Sequence, residues 1–302
     1  MQVTRRDFLT AGTAAVLGAA AGASEARSAE AEAEMGKNLE QRPLRIGMTD
    51  WNLGQRGVIE KIKLANRIGL DGIQVSILYP EDGSLHLRCP KMQATFRNAA
   101  LDYGVQICSL AIGGLGPGSP FKNNPMGVMR VADAIEVARN LGTNDILLPF
   151  FRDRAPDMSD KKEAETIINS FKELAPRAEK HGVVIALETS LSGEDHRRII
   201  DAVGSPNIQV YFDPSNCKHY GHDPIGDILL LKDCIHQVHV KNNPEMMADQ
   251  CVKGFSWVEV AELLYKIGYK GWYVLENVCP NDMITDTRTN IDYIRKTFRI
   301  PA

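Results

Sequence analysis

From Leu44 onward, eight short apolar runs each precede a longer stretch of helical periodicity, and this alternation limits the fold more than any other feature of the chain. The runs are 44–49, 72–76, 105–111, 145–150, 183–188, 208–213, 235–240 and 271–276. The amphipathic stretches are 58–68, 90–103, 126–141, 161–181, 194–203, 224–231, 256–267 and 283–298. Eight strand-and-helix units predict a single α/β domain over residues 43–302, a (β/α)8 TIM barrel of parallel strands inside a ring of helices. Gly69, Gly104, Gly142, Gly182 and Gly268 each fall where a helix gives way to the next strand, the place for a left-handed glycine cap. Ser256, followed three residues later by Glu259, reads as a capping-box start. A doubly wound open sheet would need a glycine fingerprint after the first strand, where the chain has Asp50-Trp51-Asn52-Leu53-Gly54. The glycine-rich run 113–118 contains proline and no helix starts on it, so it reads as a lid or turn rather than a phosphate cradle.

Four of the apolar runs end on a metal-competent side chain: Glu188, Asp213, His239 and Glu276, at intervals of 25, 26 and 37 residues. Taken singly, each has a structural use, as a loop carboxylate, a helix cap, a core imidazole or a lysine partner. A parallel barrel, however, brings the carboxyl ends of its strands to one mouth, where active sites of this architecture lie. Three carboxylates and an imidazole converging there repel one another unless a cation compensates them. The pattern therefore implies a divalent ion.

These positions also carry a resemblance. Ala186-Leu187-Glu188, Tyr211-Phe212-Asp213-Pro214-Ser215-Asn216, Val238-His239-Val240-Lys241-Asn242 and the stretch Ile267 to Glu276 resemble the xylose isomerase-like barrels, the sugar phosphate isomerase and epimerase family. The family includes ketose 3-epimerases, hydroxypyruvate isomerase, inosose dehydratase and endonuclease IV. The likeness implies that Glu188, Asp213, His239 and Glu276 ligate Mn²⁺, Mg²⁺ or Co²⁺, an oxygen-rich set suited to such cations. It implies that Glu188 and Glu276 exchange a proton on opposite faces of a carbohydrate through an enediolate. It also implies that Glu194 contacts substrate, and Asn216 and Lys241, beside the ligands in sequence, are further candidate substrate contacts. Asn216 stands where the tagatose-type epimerases carry histidine, and Glu245 where they carry arginine, which points away from their standard ketose. Three function classes follow: an isomerase or epimerase of an unphosphorylated sugar or keto-sugar, a lyase or hydratase on 3-keto-glycosides or keto-inositols, and a non-catalytic sugar-binding protein. Retention of both glutamates disfavours the last, because binding needs no proton-transfer pair. The endonuclease branch needs further histidines and a basic surface, whereas strands two and three end on Gln74-Val75-Ser76 and Ser109 and the chain is acidic.

Ahead of the barrel, Arg5-Arg6-Asp7-Phe8-Leu9 followed by a small apolar stretch to Ala23 reads as a twin-arginine export signal over residues 1–23. Too short and too rich in alanine and glycine to remain in a bilayer, it implies cleavage, no lasting membrane insertion and a periplasmic or otherwise extracytoplasmic protein. Residues 24–42 read as a linker. Loss of the signal takes the formal net charge from -3 to -4, with no general pull toward nucleic acid. Six cysteines without close pairing motifs read as buried thiols; of these, Cys217 and Cys251, in predicted loops on one side, are the pair that an oxidising compartment could bridge. A homo-oligomer is compatible with the sequence.

Overall fold

The computed structural model describes residues 44–79, 86–112 and 125–298. The expected signal, the linker and the glycine-rich run 113–118 lie outside the described residues.

Eight parallel strands close into a barrel in chain order, each hydrogen-bonded to its sequence neighbours and β1 to β8. The strands are β1 (Ile46–Thr49), β2 (Gly72–Ile77), β3 (Gln106–Ile112), β4 (Asp145–Phe150), β5 (Val184–Thr189), β6 (Ile208–Phe212), β7 (Ile235–Val240) and β8 (Tyr273–Leu275). Among the described residues the helices are α1 (Glu60–Ile68), α2 (Pro90–Tyr103), α3 (Pro125–Leu141), α4 (Lys161–His181), α5 (Gly193–Val203), α6 (Pro214–His219), α7 (Pro224–Leu231), α8 (Trp257–Lys266) and α9 (Met283–Thr297). All eight expected units are present.

Local chemistry explains the boundaries. The five glycines read as helix stops adopt positive φ, between 62° and 95°, and Ser256 accepts from the Glu259 amide at the start of α8. Most boundaries fall within two residues of the sequence reading, and two of the shifts bear on the site. β6 stops at Phe212 because Asp213 leaves the ladder to cap α6, with Pro214 at its first position. β8 is three residues long, so Glu276 sits just past it, though its amide still donates to Val240 O at 3.1 Å.

Most of the apolar core lies between strands and helices, while Cys108, Ala111, Leu147, Val184, Ala186, Tyr211, Trp272 and Val274 form a separate cluster. Gly72 makes room for Trp272: a Cβ there would sit 2.7 Å from the indole. The barrel is thus a packed core rather than a channel. Its floor holds Asp145, fully buried, with Oδ2 3.0 Å from His236 Nε2 across the interior. The six cysteines are free thiols. Cys217 and Cys251, the pair an oxidising compartment could bridge, are not joined here: Cys217 belongs to α6 rather than a loop and donates to Asp227 Oδ2 at 3.3 Å, while Cys251 lies 3.5 Å from Ser215 Oγ.

Candidate metal centre at the barrel mouth

Glu188, Asp213, His239 and Glu276 converge as the spacing of the strands predicts: each presents a ligand atom, and these atoms all lie within 4.8 Å of one another. Glu188 is the fifth residue of β5 and His239 the fifth of β7, while Asp213 and Glu276 directly follow β6 and β8. Glu188, Asp213 and His239 are buried and Glu276 nearly so.

The two carboxylate oxygens of Asp213 do different work. Oδ1 accepts the Asn216 amide at 2.9 Å and so fixes the start of α6. Oδ2 is buried, 2.7 Å from Lys241 Nζ, yet no donor is aligned on it for a hydrogen bond. The same ammonium donates to Glu276 Oε2 at 2.6 Å. Positive charge thus already stands between two of the acids, and a buried oxygen keeps an unused lone pair. Together with an imidazole nitrogen and two more carboxylates, this donor set fits a hard divalent cation.

Electrostatics separates the two glutamates. Burial holds the Glu188 carboxyl above its ordinary value, since the facing His239 only partly offsets desolvation. Burial also pushes Glu276 up, but His239, Lys241 and the Trp51 N–H outweigh it and leave this carboxyl below the ordinary range. His239 is itself raised, because Glu188 and Glu276 overcome the cost of burying its charge. Lys241 is raised by Asp213, Glu276 and Glu188 in the same way. The Lys241 ammonium and the raised His239 imidazole face the acids, so a cation binding there would compete with protons.

The residues expected to contact substrate part company. Asn216 is at the centre, its Nδ2 donating to Glu188 Oε1 at 2.9 Å. Lys241 lies between two ligands. Glu194 is exposed in the first turn of α5, closer in its electrostatics to Asp227 than to the four ligands. Glu245 is exposed as well.

Three contributors from the other side of the barrel were not singled out by the sequence. Trp51, just after β1, donates Nε1–H to Glu276 Oε1 at 3.1 Å, and the Arg56 guanidinium lies 4.3 Å over its ring. Gln74 Oε1 accepts from His239 Nε2 at 3.0 Å, and Gln74 Nε2 donates to Ser109 Oγ at 2.8 Å. A signal was available: Gln74 is a polar residue within the apolar strand Gly-Ile-Gln-Val-Ser-Ile, buried on every position. By contrast Asp50, another buried acid near the mouth, spends its oxygens on Gly57 N, Ser76 N and Ser76 Oγ, which tie the loop after β1 to β2. It is structural.

Comparison with known proteins agrees with the fold. A family described as the xylose isomerase-like TIM barrel matches residues 62–297. A 2-epi-5-epi-valiolone 7-phosphate 2-epimerase from an Actinoplanes species is 30% identical over 202 residues, which are 66% of this chain and 73% of that protein. Among solved structures, a D-psicose 3-epimerase from Clostridium cellulolyticum H10 superposes with TM-score 0.70 at 15% identity, covering 85% of this chain and all of that one. A 3-keto-D-glucoside 4-epimerase from E. coli superposes with TM-score 0.67 at 18% identity, covering 84% of this chain and all of that one. At these identities the structures bear on the fold alone.

Proposed function

The chain belongs to the xylose isomerase-like TIM barrel family, and from that premise we propose that it is a divalent-metal-dependent isomerase or epimerase of an unphosphorylated sugar or keto-sugar. The observation that carries this reading is the convergence of Glu188, Asp213, His239 and Glu276 at the barrel mouth. Bound there, Mn²⁺, Mg²⁺ or Co²⁺ would supply Lewis acidity, offsetting the charge that develops on the substrate when a C–H beside its carbonyl loses a proton.

The residues divide the remaining work. Glu188 and Glu276 are the pair that removes a proton from one face of the substrate and returns one to the other. Which of the two acts as base depends on the direction of the reaction, since the roles exchange when it runs backward. Asp213 and His239 complete the cation's ligands. Lys241 holds Glu276 in place and lies within reach of a substrate oxygen beside it, while Asn216 orients Glu188 and Glu194 meets hydroxyls from the rim.

The first turns after the last two strands support a substrate without phosphate. TIM barrels commonly bind phosphate with the loops after strands seven and eight and a helix N-terminus. Here α8 carries Glu259 in its first turn, and α9 is capped by Asp282 with Asp286 in its first turn. Acids at both places repel a phosphate. The Actinoplanes relative is named for a phosphorylated cyclitol, so paired assays on free and phosphorylated forms of one sugar test this point: a much higher kcat/KM for the phosphorylated form would overturn it.

Incubation with keto-sugars in deuterated water tests the reaction class. Deuterium at the carbon beside the carbonyl, together with the epimer or isomer, is the expected result. Release of an aglycone or of water would point instead to elimination, and no exchange with any keto-sugar would point to binding alone. We also infer export by the twin-arginine route, from Arg5 and Arg6 and the apolar stretch behind them. Arg5→Lys with Arg6→Lys should leave the folded protein in the cytoplasm, and unchanged fractionation would remove this inference.

A further inference from the structure

We propose that Gln74, backed by Ser109, is a positioning residue that fixes the His239 imidazole so that Nδ1, not Nε2, faces the cation. The inference rests on the metal reading above and adds to it the part of the molecule that selects the ligating atom.

A histidine can ligate through either ring nitrogen, and the partner of the other nitrogen decides which. His239 Nδ1 lies 3.1 Å from Glu188 Oε1 and 3.6 Å from Glu276 Oε2, on the side of the acids. Nε2 points the opposite way, into the barrel, 3.0 Å from Gln74 Oε1. For Nδ1 to offer a lone pair, Nε2 must keep its hydrogen, and that hydrogen needs an acceptor. Gln74 Oε1 is the acceptor in place.

The amide could in principle turn and present its NH₂ to the ring, which would leave the hydrogen on Nδ1 and spoil the ligand. Ser109 Oγ, 2.8 Å from Gln74 Nε2, accepts from the amide in the orientation that ligation through Nδ1 requires and braces it there, while the ring's own Nε2–H sets which end of the amide faces it. The ring's other close neighbours hold its plane but offer no acceptor in it: Tyr211 packs with ring centroids 4.4 Å apart and Trp51 lies edge-on at 6.2 Å. Gln74, Ser109 and His239 are all completely buried, so each donor and acceptor must find its partner inside the barrel. This requirement accounts for a buried amide on β2. The amide is also neutral, so the imidazole gains an acceptor without a fourth carboxylate.

The test uses the full chain stripped of metal and titrated with Mn²⁺ by calorimetry. Gln74→Leu keeps the side chain's approximate volume but removes the acceptor, and Mn²⁺ affinity should fall about 10–100-fold, the usual cost of losing an outer partner of a ligating histidine. Gln74→Glu restores an acceptor and should bind within about threefold of the wild type or more tightly. Ser109→Ala should weaken binding by a smaller factor, and it keeps the proposal testable if Gln74→Leu does not fold. Wild-type affinity in both Gln74→Leu and Ser109→Ala would overturn the proposal, as would equal weakening in Gln74→Leu and Gln74→Glu, which would mean that packing alone matters. In the Mg²⁺-loaded wild type, the ¹⁵N spectrum of His239 should show a protonated Nε2; a protonated Nδ1 would overturn the proposal. If the wild type bound no Mn²⁺, the metal reading would fail with it, a result distinct from variants that bind like the wild type.

Discussion

Strands β5 to β8 deliver four metal-competent side chains to the mouth, whereas β1 to β3 deliver none, yet the second group touches two of those four. Trp51 holds Glu276 Oε1, and Gln74 with Ser109 holds the far side of His239. Within the β5–β8 half some restraints are local, as where Asp213 caps its own helix and Thr189, His196 and Ser192 bind one another just beyond Glu188, and others cross between strand ends, as from Asn216 to Glu188 and from Lys241 to Glu276. One half of the barrel thus supplies the reactive groups, and the other adds aiming contacts to two of them. The energetic weights should differ accordingly, because removing a ligand uncovers buried charge while removing an aiming contact only loosens geometry.

The largest effect should come from the ligands. Asp213→Ala or His239→Ala should lower divalent-metal affinity by more than about 100-fold, beyond the range for an outer partner, and abolish turnover. Elemental analysis of the purified variants checks it, and chelation of the wild type followed by Mn²⁺ should remove and restore activity. Full metal content in either variant would break the division between halves at its root.

Next come the two glutamates. Glu188→Gln and Glu276→Gln should each keep the fold and lower kcat by about 10²–10⁴, the contribution of a positioned acid or base. A single-turnover assay in deuterated water shows whether proton transfer is the step lost. Wild-type exchange in either variant would take that residue out of the mechanism.

A smaller loss should follow on the other side of the mouth. Trp51→Phe removes one hydrogen bond to a charged, partly exposed carboxylate, for which a reduction of about tenfold in kcat is reasonable. The sign of the pH effect is fixed by the direction of the contact. The Trp51 N–H lowers the Glu276 carboxyl, so its loss should move the acidic limb of the pH–rate profile to higher pH. An unchanged limb would show that β1 aims nothing.

This division also explains what could be read from the sequence. Glu188, Asp213, His239 and Glu276 were legible because each closes an apolar run, and parallel strands in regular succession leave little freedom about where such ends meet. Gln74 and Trp51 were not, because their partners lie 165 and 225 residues away and no local periodicity records such a pairing. α6 was missed for a different reason: six residues are too few to show helical periodicity, and Asp213-Pro214 reads equally as a strand end or a cap. Glu194 was placed by likeness alone, and the structure leaves it on the rim.

The smallest predicted effect concerns how the β5–β8 half is itself held. His196 Nδ1–H donates to the Ser192 carbonyl at 2.9 Å, and Nε2 is 2.9 Å from Thr189 Oγ1, whose oxygen also accepts the Leu191 amide. This buried ring is needed neutral, and burial depresses it to about 4 from the ordinary 6.5. In the unfolded chain the ring takes up a proton near the ordinary value, so between these pH values the unfolded state binds more protons. Its contribution to stability is therefore intact above about pH 6.5 and declines as the pH falls toward 4, by about 1 kcal/mol per unit. Raised carboxyls such as Asp50 and Glu188 act in the opposite direction, so the wild-type slope alone is uninformative. The difference between wild type and His196→Gln isolates the ring: urea unfolding at pH 7 and pH 5 should show the gap between the two proteins narrowing by about 1–2 kcal/mol at the lower pH. A gap independent of pH would mean that the turn beyond Glu188 does not depend on a neutral imidazole.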